Sequence, residues 1–273
     1  MTAAGAIALH DVTLRFGGVS ALDGVSFEVE PGTIHGLVGP NGAGKSSCLN
    51  VISGVYRPTS GTAWYGEHEL TRLPPHRIAA LGVGRTFQNL AQSGRQTVLE
   101  NLMMARHHLT RSGFVTSGLG LPRARREERE HRARVCEIAE FLGLGDRVDT
   151  PTGVLPYGDR KRVEIARAVA LEPSLLLLDE PVAGMDAEES AVIARTVRRL
   201  RDGLGLTVIL IEHDVPLVMQ LAERVTVLDF GKVLADGTPE QVRTHPDVVR
   251  AYLGAEAEPG DEPGGLRDGG TSR

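Results

Sequence analysis

The sequence predicts an α/β fold in which a mainly parallel sheet carries an N-terminal antiparallel β subdomain and an inserted α-helical subdomain. After Pro156, apolar strand patterns alternate with helical ones, and this alternation is typical of a parallel sheet covered by helices on both faces. Before residue 38, short strand patterns follow one another with no helical pattern between them, which indicates antiparallel strands. Between these parts, residues 98–143 are mostly helical in pattern and form the predicted insertion.

The individual elements follow from hydrophobic periodicity. An alternating strand pattern at 25–29 is followed by a continuous apolar run at 34–38, as expected of an edge strand that leads into a buried one. The remaining elements are, in chain order, a helix at 45–53, a mixed segment at 81–87, the helical block 98–143 with a Gly-rich interruption at 112–120, helix 161–171, strand 174–178, helix 187–203, strand 207–211, helix 215–222 and strand 224–228. We expect residues 1–254 to form one domain with the helical subdomain inserted at about 89–160, and the Gly-, Pro- and acid-rich stretch 255–273 to be a disordered tail.

The composition narrows the class of protein. The chain has 273 residues, of which 41% are apolar, so it can bury a core of its own. A net charge of −5 gives no positive field for nucleic acid, and Cys48 and Cys136 lack the spacing of a metal site or a disulfide framework. There is no signal-peptide pattern and no apolar run of about 18 residues. We therefore expect a protein of the reducing cytoplasm that meets a membrane only through protein partners.

A glycine-rich loop, here called the phosphate loop (residues 39–46), joins the apolar run 34–38 to the helix predicted next. It matches G-x-x-x-x-G-K-[ST] with Gly39, Pro40, Asn41, Gly42, Ala43, Gly44, Lys45 and Ser46. Such a loop turns its backbone N–H groups towards phosphates, in front of the positive end of a helix. We expect Lys45 to reach the β- and γ-phosphates of ATP, Ser46 to offer its hydroxyl to Mg²⁺, and Ser47 to bind nucleotide as well. Residue usage alone produces this pattern in about one chain of this size in a hundred, which leaves a Gly-rich turn as the alternative.

Two later strands are predicted to end in polar side chains. The strand at 174–178 runs into Asp179 and Glu180, and the strand at 207–211 runs into Glu212-His213-Asp214. Because the C-terminal ends of parallel strands meet at the sheet edge where ligands bind, we predict that Asp179 holds Mg²⁺ and that Glu180 orients and deprotonates the attacking water. We expect His213 to donate to the γ-phosphate or to position that water. Taken alone, an acidic turn and a structural histidine are the alternatives.

In chain order these motifs resemble the ATP-binding-cassette (ABC) family. The matching segments are the phosphate loop, Gln88, Leu155-Pro156-Tyr157-Gly158-Asp159 (the signature segment), Asp179-Glu180, Ala183-Gly184-Met185-Asp186 and His213. The resemblance covers about residues 7–254 and implies a P-loop NTPase core. It further implies a dimer that sandwiches two ATP molecules, in which Tyr157, Gly158 and Asp159 of one subunit complete the site whose phosphate loop belongs to the other.

The resemblance also singles out two residues that spacing alone would not. Gln88 stands where the family has a neutral side chain that reaches Mg²⁺ or water across the site. Phe16 stands where the family places an aromatic ring that stacks on adenine, although a buried strand residue is the alternative interpretation.

The signature segment departs from the usual Leu-Ser-Gly-Gly pattern of the family. Pro156 replaces the serine whose hydroxyl would bind the γ-phosphate, and Tyr157 replaces a glycine. Gly158 and the helix expected to begin near Asp159 still offer backbone N–H groups. We therefore expect phosphate binding to persist with one donor fewer.

Within the family, the chain most resembles the ATPases of high-affinity branched-chain amino acid importers. The segments that carry this resemblance are Leu14-Arg15-Phe16-Gly17-Gly18, Arg85-Thr86-Phe87-Gln88, Leu155-Pro156-Tyr157-Gly158, Ile211-Glu212-His213-Asp214, Gly237-Thr238-Pro239-Glu240 and Ala251-Tyr252-Leu253-Gly254. It implies a peripheral subunit at the cytoplasmic face of the cell membrane that takes up branched-chain or related small amino acids or amides. The implied partners are two transmembrane permease subunits docked near 89–110, a second ABC ATPase in a homo- or heterodimer and, indirectly, an extracytoplasmic substrate-binding protein. The alternatives are the ATPase of a lipid or lipopolysaccharide exporter and a non-transport cassette protein.

Overall fold

The computed structural model describes residues 5–86, 94–109 and 122–255. The strands are β1 (Ile7–Phe16), β2 (Val19–Val29), β3 (Ile34–Val38), β4 (Ser60–Tyr65), β5 (His68–Glu69), β6 (Val83–Arg85), β7 (Leu175–Asp179), β8 (Thr207–Ile211), β9 (Arg224–Asp229) and β10 (Lys232–Gly237). The helices are α1 (Lys45–Ile52), α2 (Pro75–Ala80), α3 (Val98–Ala105), α4 (Pro122–Phe141), α5 (Tyr157–Val169), α6 (Ala187–Leu204), α7 (Val215–Leu221), α8 (Pro239–Arg243) and α9 (Pro246–Ala255). Short 3₁₀ turns cover Leu70–Arg72, Arg106–Leu109, Gly145–Arg147 and Thr152–Val154.

Two sheets organise these elements. The larger has the strand order β10-β9-β3-β8-β7-β6, and only the β9–β10 pair is antiparallel. The smaller has the order β2-β1-β4-β5 and is antiparallel throughout. The predicted α/β class, with a mainly parallel sheet and an N-terminal antiparallel β subdomain, is thereby confirmed.

The parallel sheet separates two hydrophobic cores. All five residues of β7 are buried, as expected of a strand covered on both faces, and its leucines alternate between the cores because successive side chains point to opposite faces. Leu176 and Leu178 pack in the core shared with α3, α4, α5 and α6. Leu175 and Leu177 pack in the core shared with α1, α2 and the antiparallel sheet. Both faces of β7, whose end carries Asp179, are thus packed against apolar residues.

Helices α3 and α4 occupy the block in which the sequence predicts a helical insertion. Helix α3 begins with a capping box: Thr97 accepts from the backbone N–H of Glu100, whose carboxylate accepts from the N–H of Thr97. The predicted interruption at 112–120 and the predicted tail beyond Ala255 lie outside the described residues. Over the ranges given above, no helix has the length and apolar character needed to cross a membrane.

Helix α5 begins four residues earlier than its periodicity predicts, at Tyr157 instead of residue 161. Pro156 occupies the N-cap position with φ −52° and ψ 155°, which are angles that proline adopts readily. Tyr157 and Gly158 are tolerated in the first turn because their N–H groups have no intrahelical acceptor in any helix. Most of the signature segment therefore lies in the first turn of α5.

Candidate nucleotide-binding site

The phosphate loop leaves β3 and closes directly onto α1, in a backbone path that only glycine fits at two points. Gly39 has φ +152°, and a Cβ atom there would lie 2.1 Å from the carbonyl oxygen of Leu228. Gly44 has φ +102°, and its Cβ would lie 2.6 Å from the carbonyl oxygen of Ala21. Both separations are far below van der Waals contact, so the backbone itself requires the two glycines that the motif specifies.

Lys45 lies across the phosphate loop. Its Nζ donates to the carbonyl oxygens of Gly39 at 2.7 Å and Pro40 at 2.9 Å, and only 6% of the residue is exposed. Burial lowers the pKa of Lys45, whereas the carboxylates of Glu180 and Asp179 oppose this change. These carbonyl oxygens are weaker partners for the ammonium group than phosphate oxygens are. A phosphate bound in the loop would therefore draw the Lys45 ammonium group away from them and towards itself.

Asp179 ends β7 opposite the start of α1. Its Oδ1 accepts from the Ser46 hydroxyl at 3.4 Å, and its Oδ2 accepts from Arg85 at 3.1 Å. The described residues contain no cluster of three or more His, Cys, Asp or Glu side chains suited to a metal ion. One hydroxyl and one carboxylate fit Mg²⁺, a hard cation that takes most of its oxygen ligands from phosphates and water. These residues therefore fit the predicted metal.

Glu180 and His213 come from neighbouring strands and meet beside the phosphate loop. Because β7 and β8 are parallel neighbours, Asp179 pairs with Ile211 and the residues that follow leave the sheet together. The Nε2 atom of His213 lies 2.6 Å from Oε1 of Glu180. Glu180 has φ +52°, a left-handed conformation that is uncommon for a side-chain-bearing residue and that accumulates at functional sites. An acidic turn at the end of a strand would not require this strain.

A cavity of about 220 Å³ joins these groups. It is lined by Ala21, Asn41, Gly42, Ala43, Gly44, Lys45, Ser46, Ser47, Glu180 and His213. The structure thus brings together the phosphate loop and two strand ends that lie more than a hundred residues further along the chain. Gln88 lies outside the described residues.

Phe16 is half-exposed at the end of β1 and does not belong to either core. Its ring meets that of Tyr56 edge-on, with centroids 5.1 Å apart. The alternative interpretation of Phe16 as a buried strand residue is therefore wrong. An exposed aromatic ring remains available for stacking, so the adenine contact stays a prediction.

The signature segment does not line the cavity of its own chain: Tyr157, Gly158 and Asp159 are absent from the cavity lining formed by the described residues. The Tyr157 hydroxyl donates to the carbonyl oxygen of Ala183 at 2.9 Å, which ties α5 to the turn after Glu180. The Asp159 side chain is paired with Arg162 one turn along the same helix. Pro156 provides no side-chain cap, so the first-turn backbone N–H groups of α5 are a candidate binding point for an anion.

Glu212 is a buried acid beside the site that the motifs do not single out. Its carboxylate accepts from the backbone N–H of Val182 at 2.7 Å and of His213 at 3.3 Å. Burial raises the pKa of Glu212 to about 7. An acidic residue that directly continues an apolar strand was the available signal, but nothing in the sequence indicates its partner 30 residues away.

Two other acidic residues near the site are helix caps. Asp186 accepts from the N–H of Glu189 at the start of α6, and Asp214 accepts from the N–H of Leu217 at the start of α7. Their side chains are therefore occupied in fixing the turns that follow Glu180 and His213.

Comparison with known proteins places this geometry in a family. A model of the ABC transporter family matches residues 22–183, and a model of branched-chain amino acid ATP-binding cassette transporters matches residues 232–258. The chain belongs to the ABC transporter ATPase family. It is therefore a subunit of the ATP-hydrolysing class that the motifs predict, and the resemblance of its motifs to this family is confirmed.

Relatives of this ATPase are similar over nearly their whole length. The high-affinity branched-chain amino acid transport ATP-binding protein LivG of Salmonella typhimurium is 41% identical over 248 residues, which cover 91% of this chain and 97% of that protein. The corresponding protein BraF of Pseudomonas aeruginosa is 41% identical over 243 residues, covering 89% and 95%. Among solved structures, the ATP-binding cassette MJ1267 of an ABC transporter in its ADP conformation is 31% identical with a TM-score of 0.80, covering 92% of this chain and 99% of that one.

Proposed function

We propose that this ATPase binds ATP with Mg²⁺ and hydrolyses it to drive uptake of branched-chain or related small amino acids or amides through a pair of membrane permeases. The observation that carries the hydrolytic part is the position of Glu180. Its carboxylate borders the same cavity as the phosphate loop, directly after the carboxylate assigned to the metal and in contact with His213. A protein that only bound nucleotide would not need a second carboxylate at that point.

Nucleotide binding uses the backbone and charges of the phosphate loop. The N–H groups of residues 41–47 and the N-terminal end of α1 surround the β- and γ-phosphates, and Lys45 moves from its carbonyl partners to phosphate oxygens. Ser46 and Asp179 hold Mg²⁺, which offsets negative charge on the phosphates when it is bound. Phe16 stacks on the adenine ring, and Gln88 reaches towards the metal or the water.

Hydrolysis is an in-line attack of water on the γ-phosphorus. Glu180 accepts the water proton as the new P–O bond forms, and the bond to the β-phosphate oxygen breaks to give ADP and phosphate. His213, held 2.6 Å from Glu180, orients that carboxylate and the water next to the γ-phosphate. Lys45 stabilises the charge that spreads over the γ-phosphate oxygens.

The signature segment completes the site of a second ATPase subunit. Tyr157, Gly158 and Asp159 do not line the cavity that the described residues form in their own chain, and no side-chain cap satisfies the first-turn N–H groups of α5. In the proposed dimer, each subunit presents the start of its α5 to the nucleotide bound by the other subunit. The first-turn N–H groups of α5 then contact that nucleotide. The partner is a second copy or a related ATPase, and the pair works at the cytoplasmic face of the membrane beneath two permeases that an extracytoplasmic binding protein supplies.

The amino acid cargo rests on the relatives. LivG and BraF are named for branched-chain amino acid transport, and the match to branched-chain amino acid cassettes at 232–258 covers β10, α8 and α9. This ATPase does not itself touch the cargo under the proposal. The permeases therefore decide which amino acid or amide is carried.

Purification of the tagged chain from native membranes in mild detergent tests the assembly. Mass spectrometry should find two multi-span permeases and a second cassette, and the reconstituted complex should accumulate labelled leucine with ATP. A chain recovered alone or beside a lipid-handling permease would reject the importer. Phosphate release by the purified chain would in that case still support the ATPase.

A further inference from the structure

Arg85 connects the metal carboxylate to the back of the phosphate site. It ends β6, the strand next to β7, and only 9% of its side chain is exposed. One nitrogen, Nη2, donates to Oδ2 of Asp179 at 3.1 Å. The other, Nη1, donates to Oδ1 of Asn50 at 2.7 Å and to the Ser53 hydroxyl at 2.9 Å, both at the end of α1.

The two ends of the guanidinium have different tasks. The Nη1 contacts fix the group against α1, whose first residues belong to the phosphate loop. With the guanidinium fixed, Nη2 donates its hydrogen bond to Oδ2 of Asp179. The other carboxylate oxygen, Oδ1, then lies on the side of Ser46. A planar fork with two separated donors does this, whereas a single ammonium does not.

We propose that Arg85 is a positioning residue for metal binding: by holding Oδ2 of Asp179, it presents Oδ1 beside the Ser46 hydroxyl as a preformed cation site. The proposal rests on the assignment of Mg²⁺ to Asp179 and Ser46 made above. It also explains why a cation is kept so near a metal carboxylate. Asp179 is almost fully buried, and Arg85 places a cation beside its carboxylate.

Two effects of Arg85 on the metal oppose each other. The positive charge of Arg85 repels a cation, so losing that charge would by itself tighten metal binding. The hydrogen bond from Arg85 orients the ligand oxygen of Asp179, so losing that hydrogen bond would by itself weaken metal binding. Loss of a partner that orients a metal ligand costs about 10–100-fold in metal affinity. Because an Asp179 carboxylate without the Arg85 hydrogen bond is free to rotate away from the Ser46 hydroxyl, we expect the geometric effect to dominate.

The test measures nucleotide affinity as a function of Mg²⁺, with no turnover involved. A fluorescent ATP analogue is titrated into the intact chain in EDTA and then across a Mg²⁺ series. Arg85→Met should leave affinity in EDTA unchanged and raise the Mg²⁺ midpoint about tenfold or more. Arg85→Lys should restore little of this shift, because it returns the charge without the fork.

A matched control separates positioning from stability. Arg106 is also a buried arginine; its Nη1 donates to the Ala170 carbonyl at 2.7 Å and to Glu172 at 3.2 Å, away from the cavity. Arg106→Met should lower thermal stability as Arg85→Met does and leave the Mg²⁺ midpoint where it is in the wild type. Should Arg85→Met fail to fold, Arg85→Lys and Asn50→Ala carry the test, since Asn50→Ala removes one anchor of the guanidinium and keeps its charge.

Each result has one meaning. A raised midpoint in Arg85→Met and Arg85→Lys, with unchanged affinity in EDTA, supports the positioning role. A midpoint that stays the same or falls in Arg85→Met, or that Arg85→Lys restores fully, overturns it, as does an unchanged midpoint in both Arg85→Lys and Asn50→Ala. If Mg²⁺ has no effect on the wild type, the metal assignment itself fails, and the two failures are thereby distinguished.

Discussion

Glu212 makes the stability of this ATPase depend on pH in a direction that is unusual for an acid. Only 2% of the residue is exposed, and its carboxylate accepts from the N–H groups of Val182 and His213. Burial raises the pKa of Glu212 from 4.5 to about 7, against the effect of these two hydrogen bonds, and the charges of Glu180 and Asp214 act in the same direction as burial. Between these pH values the folded protein keeps a proton that the unfolded chain has released.

The sign and size of the effect follow from this difference. A raised pKa in the folded state stabilises the protein below the unfolded value of 4.5, and this contribution is lost as the pH rises through about 7. At about 1.4 kcal/mol per pKa unit, the loss by pH 8 is at most about 3 kcal/mol of unfolding free energy. The Glu212→Gln variant has no proton to release, and its amide oxygen is able to accept from the same backbone N–H groups.

Urea denaturation at pH 5, 6, 7 and 8 measures the difference. The unfolding free energy of Glu212→Gln relative to the wild type should rise with pH by about 2–3 kcal/mol and level off above pH 8. Glu128→Gln, which alters an exposed acid of α4, should show no such rise. A constant difference between Glu212→Gln and the wild type from pH 5 to pH 8 would show that Glu212 ionises normally in the folded state and would refute the reasoning.

Three further substitutions test the site itself. Glu180→Gln should retain ATP binding and lower turnover by about 10²–10⁴-fold, as loss of a general base does, and wild-type phosphate release would contradict the role of Glu180. Lys45→Ala should weaken ATP binding by roughly tenfold or more in a direct titration, because a charge-assisted contact with phosphate is lost; unchanged affinity would reject that contact. Tyr157→Phe removes one hydrogen bond, to the Ala183 carbonyl at 2.9 Å, and should cost about 1 kcal/mol and a few degrees of Tm, with an unaltered melting curve as the opposing result.

Much of the fold could be predicted because local pattern and tertiary environment agree. Strand β8 has the predicted bounds, since five consecutive apolar or β-branched residues are interrupted sharply by Glu212. Periodicity alone could not predict the start of α5 at Tyr157, because Pro156, Tyr157 and Gly158 disfavour a helix interior but are acceptable at its first turn. Periodicity becomes visible only where the helix begins to bury one face.

The residues of the candidate site likewise fall into those that a sequence pattern marks and those that it does not. Residues with a motif or a strand end to mark them, such as Lys45 and Glu180, could be predicted, because parallel strands deliver their C-terminal ends to one edge. Arg85 and Glu212 could not be predicted as site residues, since their roles consist of contacts with Asp179, 94 residues away, and with Val182, 30 residues away. Such contacts depend on strand order, which hydrophobic pattern does not specify.

A continuous path of short contacts joins the proposed base to the signature segment within one chain. Glu180 contacts His213, the N–H of His213 donates to Glu212, and Glu212 also accepts from the N–H of Val182. The carbonyl oxygen of the next residue, Ala183, accepts from the Tyr157 hydroxyl. In the dimer proposed above, Tyr157 begins the helix that faces the nucleotide of the other subunit, whereas Glu180 faces its own. The path consists of four hydrogen bonds and the covalent link between Val182 and Ala183, and it joins the turns after β7 and β8 to the start of α5. We expect it to connect the two nucleotide sites in the proposed dimer.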